Sequence, residues 1–345
     1  QFSGVDIEVK LARYYPYGEL FAHALGYVGR ISDKEVTQLD PSIYAGTDLI
    51  GKTGIEKYYE KILQGKPGYQ HIEANAHGQV LRLLQRTPPT RGNDLTLHLD
   101  YGLQKLAQEQ LAGRRGAIVA IEPRTGGVLA FVSNPSFDPN PFVNGVPAAL
   151  YRYWRDHPDK PLYNRASQGI YPPGSTIKPV LAVAALAEGI VDERTQIESR
   201  GGISIGSFFF GDWKVHGFTD IRRAIAVSSD VFFYSIGGGY SNIRGLGMDR
   251  MKKYEELFGY GAKTGIDLSG EVTGLIPNAT WKKEKIGERW YIGDDYHASI
   301  GQGFVTSTPL QVLNSVVAIA NGGTLYSPRI VSHIRSADGK VTTVP

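Results

Sequence analysis

Pro172-Pro173-Gly174 stops any helix arriving from the N-terminal side, and the apolar run Val180 to Leu186 reads as a helix with little polar surface, hence a buried one. Between them lies Ser175-Thr176-Ile177-Lys178-Pro179. Pro179 lacks an N–H and crowds the carbonyl four residues back, so Ser175 belongs in or before the first helical turn. A serine and a lysine three apart share one helical face. Ser175 is therefore expected at the N-terminus of a buried helix, where negative charge is favoured, with an ammonium one turn away. A serine needs an adjacent base to become a nucleophile, and a desolvated lysine can supply one. Taken alone, the spacing also fits a serine cap with an exposed lysine.

Ser228-Ser229-Asp230 sits between a helical stretch, Thr219 to Val227, and the apolar Val231-Phe232-Phe233-Tyr234. It reads as a tight turn between buried segments, able to aim a hydroxyl and a carboxylate two residues apart into one cleft. Helix capping by Ser228 or Asp230 is the plainer alternative. The combination of S-x-x-K with S-D-N and K-T-G marks penicillin-binding proteins and class A β-lactamases. A Lys-Thr-Gly triplet occurs twice here. Lys52-Thr53-Gly54 precedes the nucleophile, and Lys263-Thr264-Gly265 follows Asp230 by 33 residues but is not followed by a strand pattern. Both are read as outside the site, and the true third motif is expected beyond Asn321-Gly322-Gly323, after Pro345.

These motifs resemble those of class B penicillin-binding proteins, in particular the penicillin-binding protein 2 group of Gram-negative bacteria, the elongation transpeptidases. Further segments carry the resemblance over nearly the whole chain: Tyr14-Tyr15-Pro16-Tyr17, His23 to Val28, Gly51 to Glu60, Pro123 to Ala130, Gly301-Gln302-Gly303 and Thr308 to Gln311. Asp230, where most relatives carry Asn, is itself like the elongation group. The resemblance implies an α+β fold of the penicillin-binding and serine β-lactamase type, an antiparallel sheet flanked by helices. It implies a smaller N-terminal α+β pedestal over residues 1–93, and a transpeptidase domain over 94–345 that is incomplete at its C-terminal end. Thr87-Pro88-Pro89-Thr90-Arg91-Gly92-Asn93 marks that boundary.

The resemblance also implies the chemistry. Ser175 attacks the D-Ala–D-Ala bond of a peptidoglycan stem peptide, Lys178 is the acylation base, Ser228 relays a proton to the leaving amine, and Asp230 holds Lys178 or the substrate amide. β-Lactams are expected to acylate the same serine, and no metal or organic cofactor is called for. RodA and MreC are the implied partners. The implied location is the periplasmic face of the inner membrane, held by an N-terminal transmembrane helix outside this chain. A β-lactamase or sensor of similar fold, or an inactive scaffold, remains open at this point.

Composition narrows the alternatives. The chain has 345 residues, enough for two cores, with a net charge of only +3 and no Lys/Arg cluster, so nucleic-acid binding has no support. It has no cysteine, which excludes disulfides, thiol nucleophiles and thiolate zinc sites. No apolar run approaches the roughly 18 residues of a membrane span.

Strands are expected at Leu95–Leu99 and, as a hairpin across Pro123 to Gly126, at Ala117–Glu122 and Gly127–Ser133. Helices are expected at Ile55–Leu63, Tyr101–Leu111 and Pro309–Ala320, with an irregular Pro/Asn/Asp-rich excursion from Asn134 to Pro161. Gly46 to Thr53 matches the P-loop pattern but lacks a buried strand before it, and Leu49 and Ile50 stand where close backbone approach is wanted. Gly202 to Gly206 matches a nucleophile elbow but reads as a hairpin. Asp212 and His216, four apart with no further ligand, read as a surface turn; Tyr14, Tyr15 and Tyr17 read as packing residues.

Overall fold

The fold follows from where the apolar runs can be covered. The computed structural model describes residues 12–344, apart from 45, 46, 48, 78, 79 and 112. The strand Asp94–Leu97 pairs antiparallel with Val331–Arg335, which in turn pairs with Val341–Thr343. Gly116–Ile121 and Val128–Asn134 form the expected hairpin, and Val128 N–H donates to the Arg329 carbonyl (2.8 Å), joining it to the strand Val331–Arg335. The helix Pro309–Ala320 covers this sheet. Its start obeys the sequence: Thr308 accepts from Gln311 N–H, the Gln311 side chain accepts from Thr308 N–H, and Pro309 fills the first turn.

Two buried clusters result. The sheet-side cluster joins Val128, Phe131, Leu310, Val317, Ile330 and Val331 to Ile55 and Tyr59 from the N-terminal part. The helical cluster joins Ile177, Leu181, Phe232, Phe233, Met251 and Tyr296. The helix Lys178–Ala187 lies at its centre, against the helices Asp230–Gly238 and Met248–Leu257. The mixed helix and sheet architecture is the α+β class expected.

Several elements differ from the sequence reading. The helix expected at Ile55–Leu63 is two pieces, Gly54–Tyr58 and Glu60–Leu63, broken at Tyr59. The Tyr59 hydroxyl donates to Asp267 (2.9 Å), whose carboxylate also accepts from the Ile330 and Val331 N–H groups. The stretch from Asn134 to Pro161 contains the helix Ala148–Asp156, whose Trp154 stacks on Phe142. Gly202–Ile205 and Phe208–Gly211 form a hairpin, as read. Part of the P-loop-like string, Gly46 and Asp48, lies outside the described residues. Tyr15 is buried and donates to Glu56, whereas Tyr14 and Tyr17 are exposed. Among the described residues no helix is long and apolar enough to cross a membrane.

Glu255 is a fully buried carboxyl with no hydrogen-bond partner on either oxygen among the described residues. Burial, reinforced by Glu256, pushes it from the ordinary 4.5 up to about 8. The folded state therefore holds this proton more tightly than the unfolded chain does. The resulting stabilisation is complete below the unfolded value and declines as pH rises towards about 8, beyond which it is gone. Glu255→Gln should flatten the pH dependence of the melting temperature across that window and make the variant the more stable form at its alkaline end. Parallel melting curves for the two proteins across the window would show that Glu255 is not the titrating group.

Candidate active site

The site is built at the junction of three helices, beginning with the turn that carries Ser175. Gly174–Ile177 is one turn of 3-10 helix leading into the helix Lys178–Ala187. In that geometry residues three apart eclipse, so Ser175 and Lys178 line up along the same edge. Ser175 is exposed, and Lys178 is 1% exposed. The turn is pinned from behind: Gly174 N–H donates to the Gly301 carbonyl (2.9 Å).

The second motif is fixed by its own backbone. The helix Ile221–Ala226 ends in a Schellman arrangement, in which Ser229 N–H donates to the Ala224 carbonyl (3.0 Å) and Ser228 N–H to the Ile225 carbonyl (3.2 Å). Ser228 takes the left-handed position usually given to glycine, with φ of 54°. Ser229 then caps the next helix, Asp230–Gly238, accepting from Phe232 N–H. Capping does operate at this motif, but through Ser229, which leaves the side chains of Ser228 and Asp230 free.

Both converge on Lys178. Its ammonium donates to Asp230 Oδ1 (2.5 Å), to the Ser228 carbonyl (2.9 Å) and to Ser228 Oγ (3.1 Å), with the Phe233 ring 5.3 Å away. Three of the four residues singled out by sequence thus meet at one nitrogen, and the fourth stands one turn away in the open. The exposed-lysine alternative for S-x-x-K does not hold, because the apolar helix carries Lys178 into the core.

The two Lys-Thr-Gly triplets lie elsewhere. Lys52 pairs with Glu35 beside the strand Leu49–Gly51 in the N-terminal part. Lys263 is exposed on an irregular turn whose Thr264 and Gly265 N–H groups are held by Glu271, next to the sheet-side cluster.

The reading of Asp212 and His216 as a surface turn is overturned. Both side chains are buried, at 0% and 5% exposure, with His216 Nε2 3.5 Å from Asp212 Oδ1. Asp212 accepts from Ser229 Oγ, Val231 N–H and Ser199 Oγ. Nothing in its flanking sequence signalled this, because its partners come from two other segments.

Gly301 shows how tightly the serine turn is held. Its φ is +69°, and a Cβ there would lie 2.3 Å from the Gly174 carbonyl oxygen. A Cβ at Gly322, whose φ is a similar +86°, would meet nothing within 4 Å among the described residues. Both substitutions with alanine bear the left-handed penalty of about 1–3 kcal/mol; only Gly301→Ala also displaces the backbone at Ser175. Gly301→Ala should therefore destabilise the fold clearly more than Gly322→Ala in denaturant titrations, and equal losses would remove Gly301 from the account of the site.

Comparison with known proteins bears on the family and fold. The penicillin binding protein transpeptidase domain matches residues 116–345, and the penicillin-binding protein dimerisation domain matches residues 1–97. The peptidoglycan D,D-transpeptidase MrdA of Acinetobacter baumannii is 51% identical over 335 residues, covering 96% of this chain and 49% of the relative. The chain spans about half the length of the curated relatives it matches. Pseudomonas aeruginosa PBP2, solved in complex with WCK 5153, superposes with a TM-score of 0.87 at 40% identity, covering 97% of this chain and 69% of that one. The Helicobacter pylori complex of PBP2 with MreC gives a TM-score of 0.86 at 37% identity, covering 93% of this chain and 59% of that one. With the serine turn, the buried lysine and the Ser-x-Asp turn in one place, and family matches along its length, the chain belongs to the class B penicillin-binding proteins and is of the PBP2 type.

Proposed function

We propose that the chain supplies the acyl-transfer machinery of a peptidoglycan D,D-transpeptidase of cell elongation, a target of β-lactams. The observation that carries the reading is the buried Lys178 ammonium, joined to Ser228 and Asp230 one turn from an exposed serine.

Ser175 Oγ attacks the carbonyl carbon of the D-Ala–D-Ala peptide bond. The C–N bond breaks, the amine takes a proton, and D-alanine leaves. An amine of a neighbouring stem peptide then attacks the acyl-enzyme ester, makes the cross-link and returns Ser175 to its free form. Lys178 has three N–H donors, all directed at Ser228 and Asp230. It can accept the Ser175 proton only after giving one up, and Asp230 is the carboxylate in contact with it. Ser228 Oγ bridges Lys178 to the leaving nitrogen. The Ser175 N–H, at the start of the turn, is one oxyanion donor.

The N-terminal residues 1–93 are proposed as the pedestal and 94–345 as the catalytic part. An MreC-type organiser and a RodA-type glycosyltransferase are the proposed partners, by likeness to the relative solved with MreC. The periplasmic face of the inner membrane is the proposed location.

Intact-protein mass spectrometry of the full-length protein with penicillin tests the assignment. Wild type should gain one acyl mass, and Ser175→Ala should gain none. An adduct of unchanged mass on Ser175→Ala would place the nucleophile elsewhere.

A further inference from the structure

Asp212 lies on the irregular link between the strands Phe208–Gly211 and Gly217–Thr219, outside every motif that carries the chemistry. Its carboxylate is nevertheless saturated. Oδ2 accepts from Ser199 Oγ (3.0 Å), Ser229 Oγ (3.0 Å) and Val231 N–H (3.1 Å), and Oδ1 accepts from Trp213 N–H (2.9 Å). The neighbouring Trp213 indole N–H donates to the Val227 and Ser228 carbonyls, each at 3.2 Å. Residues 212 and 213 therefore grip positions 227, 228, 229 and 231.

The alternation is informative. Ser228 and Asp230 present their side chains to Lys178, while Ser229 and Val231 are bonded to Asp212. The turn is thus held from one side by a carboxylate so that its other side can meet the ammonium. Ser228 needs such a hold, because its left-handed φ of 54° is unfavourable for a residue with a Cβ. Its carbonyl is shared by the Lys178 ammonium and the Trp213 indole, so a shift of residues 212–213 reaches Lys178 through one atom.

We propose that Asp212 is a positioning residue for acylation, fixing the Ser228–Asp230 turn against Lys178 through Ser229, Val231 and the Trp213 indole. This rests on the acyl-transfer reading given above. The carboxylate matters as such. All its partners are donors, and an ionised carboxylate is an acceptor at both oxygens, whereas the amide of Asn turns an NH2 group towards one set of them. Burial opposes ionisation here, but the hydrogen bonds from the Val231 and Asp230 N–H groups and the Ser229 and Ser199 hydroxyls outweigh it and hold the carboxyl below its ordinary range.

Ser199 provides the matched control, since it bonds the same oxygen from the strand Ile197–Ser199, and among the described residues no hydrogen bond joins its side chain to the turn. The measurement is saturation kinetics of a fluorescent penicillin with the full-length protein, normalised by active-site titration, which separates the dissociation constant from the acylation rate constant. Asp212→Asn should lower the acylation rate constant roughly tenfold to a hundredfold, as expected for a misplaced catalytic group. Its dissociation constant should stay close to wild type, and Ser199→Ala should acylate close to the wild-type rate. If Asp212→Asn fails to fold, Trp213→Phe, which removes the indole N–H bonds to the Val227 and Ser228 carbonyls, should show the same split. Wild-type acylation in the correctly titrated Asp212→Asn protein would overturn the proposal, as would equal losses in Asp212→Asn and Ser199→Ala. An unlabelled wild type would instead overturn the acyl-transfer reading. The crystal structure of Asp212→Asn then decides the positioning role: a displaced Ser228 supports it, and unchanged contacts to Lys178 contradict it.

Discussion

A buried ammonium sets the terms for this structure. Lys178 is 1% exposed, and taking such a charge out of water works against folding by several kcal/mol unless it is matched by acceptors. It has three N–H groups, and the fold brings it three acceptors, two of them from Ser228 and one from Asp230. The apolar helix Lys178–Ala187 cannot pack without burying the lysine, and the lysine cannot be buried without the Ser228–Asp230 turn. Packing of the helical core and assembly of the site are therefore one event. Its exposed neighbour, Ser175, is set in place by the same helix one turn earlier and by the backbone contact with Gly301.

The turn that meets the lysine is made by abutting two helices. One ends in a Schellman arrangement and the next begins on Ser229, which takes up the Phe232 N–H while Asp212 takes up that of Val231. The strained Ser228 is tolerated because Asp212 and Trp213 hold the segment from outside the motif. Backbone strain of this kind persists where the surroundings over-determine the conformation.

Much of the site was legible because it is local. Pro172-Pro173-Gly174 and the apolar run after it place Ser175 and Lys178 by helical geometry alone, and the Pro309–Ala320 helix announces itself through Thr308, Pro309 and Gln311. The meeting of Lys178 with Ser228 and Asp230, about 50 residues apart, came from matching a motif combination, which periodicity could not supply. What stayed hidden is what depends on distant partners. Asp212 is an ordinary carboxylate in a loop until Ser199, Ser229 and Val231 surround it. A strand could be read at Leu95–Leu99, seen as Asp94–Leu97, but its partner Val331–Arg335 lies far along the chain. The helix Ala148–Asp156 was masked by the prolines and asparagines around it, although Ala148, Ala149, Leu150 and Arg152 favour a helix and the Trp154–Phe142 stack anchors it.

The central claim is that Asp230 acts on the site through its charge beside Lys178. Asparagine at this position keeps an acceptor for the lysine N–H but removes the charge opposite the buried ammonium. The direct measurement is the melting temperature of the full-length protein and of its Asp230→Asn variant. The variant is expected to melt well below wild type, because a buried ammonium left without its anion works against folding by about 3–5 kcal/mol. An unchanged melting temperature would contradict it and leave Asp230 as a hydrogen-bonding spacer.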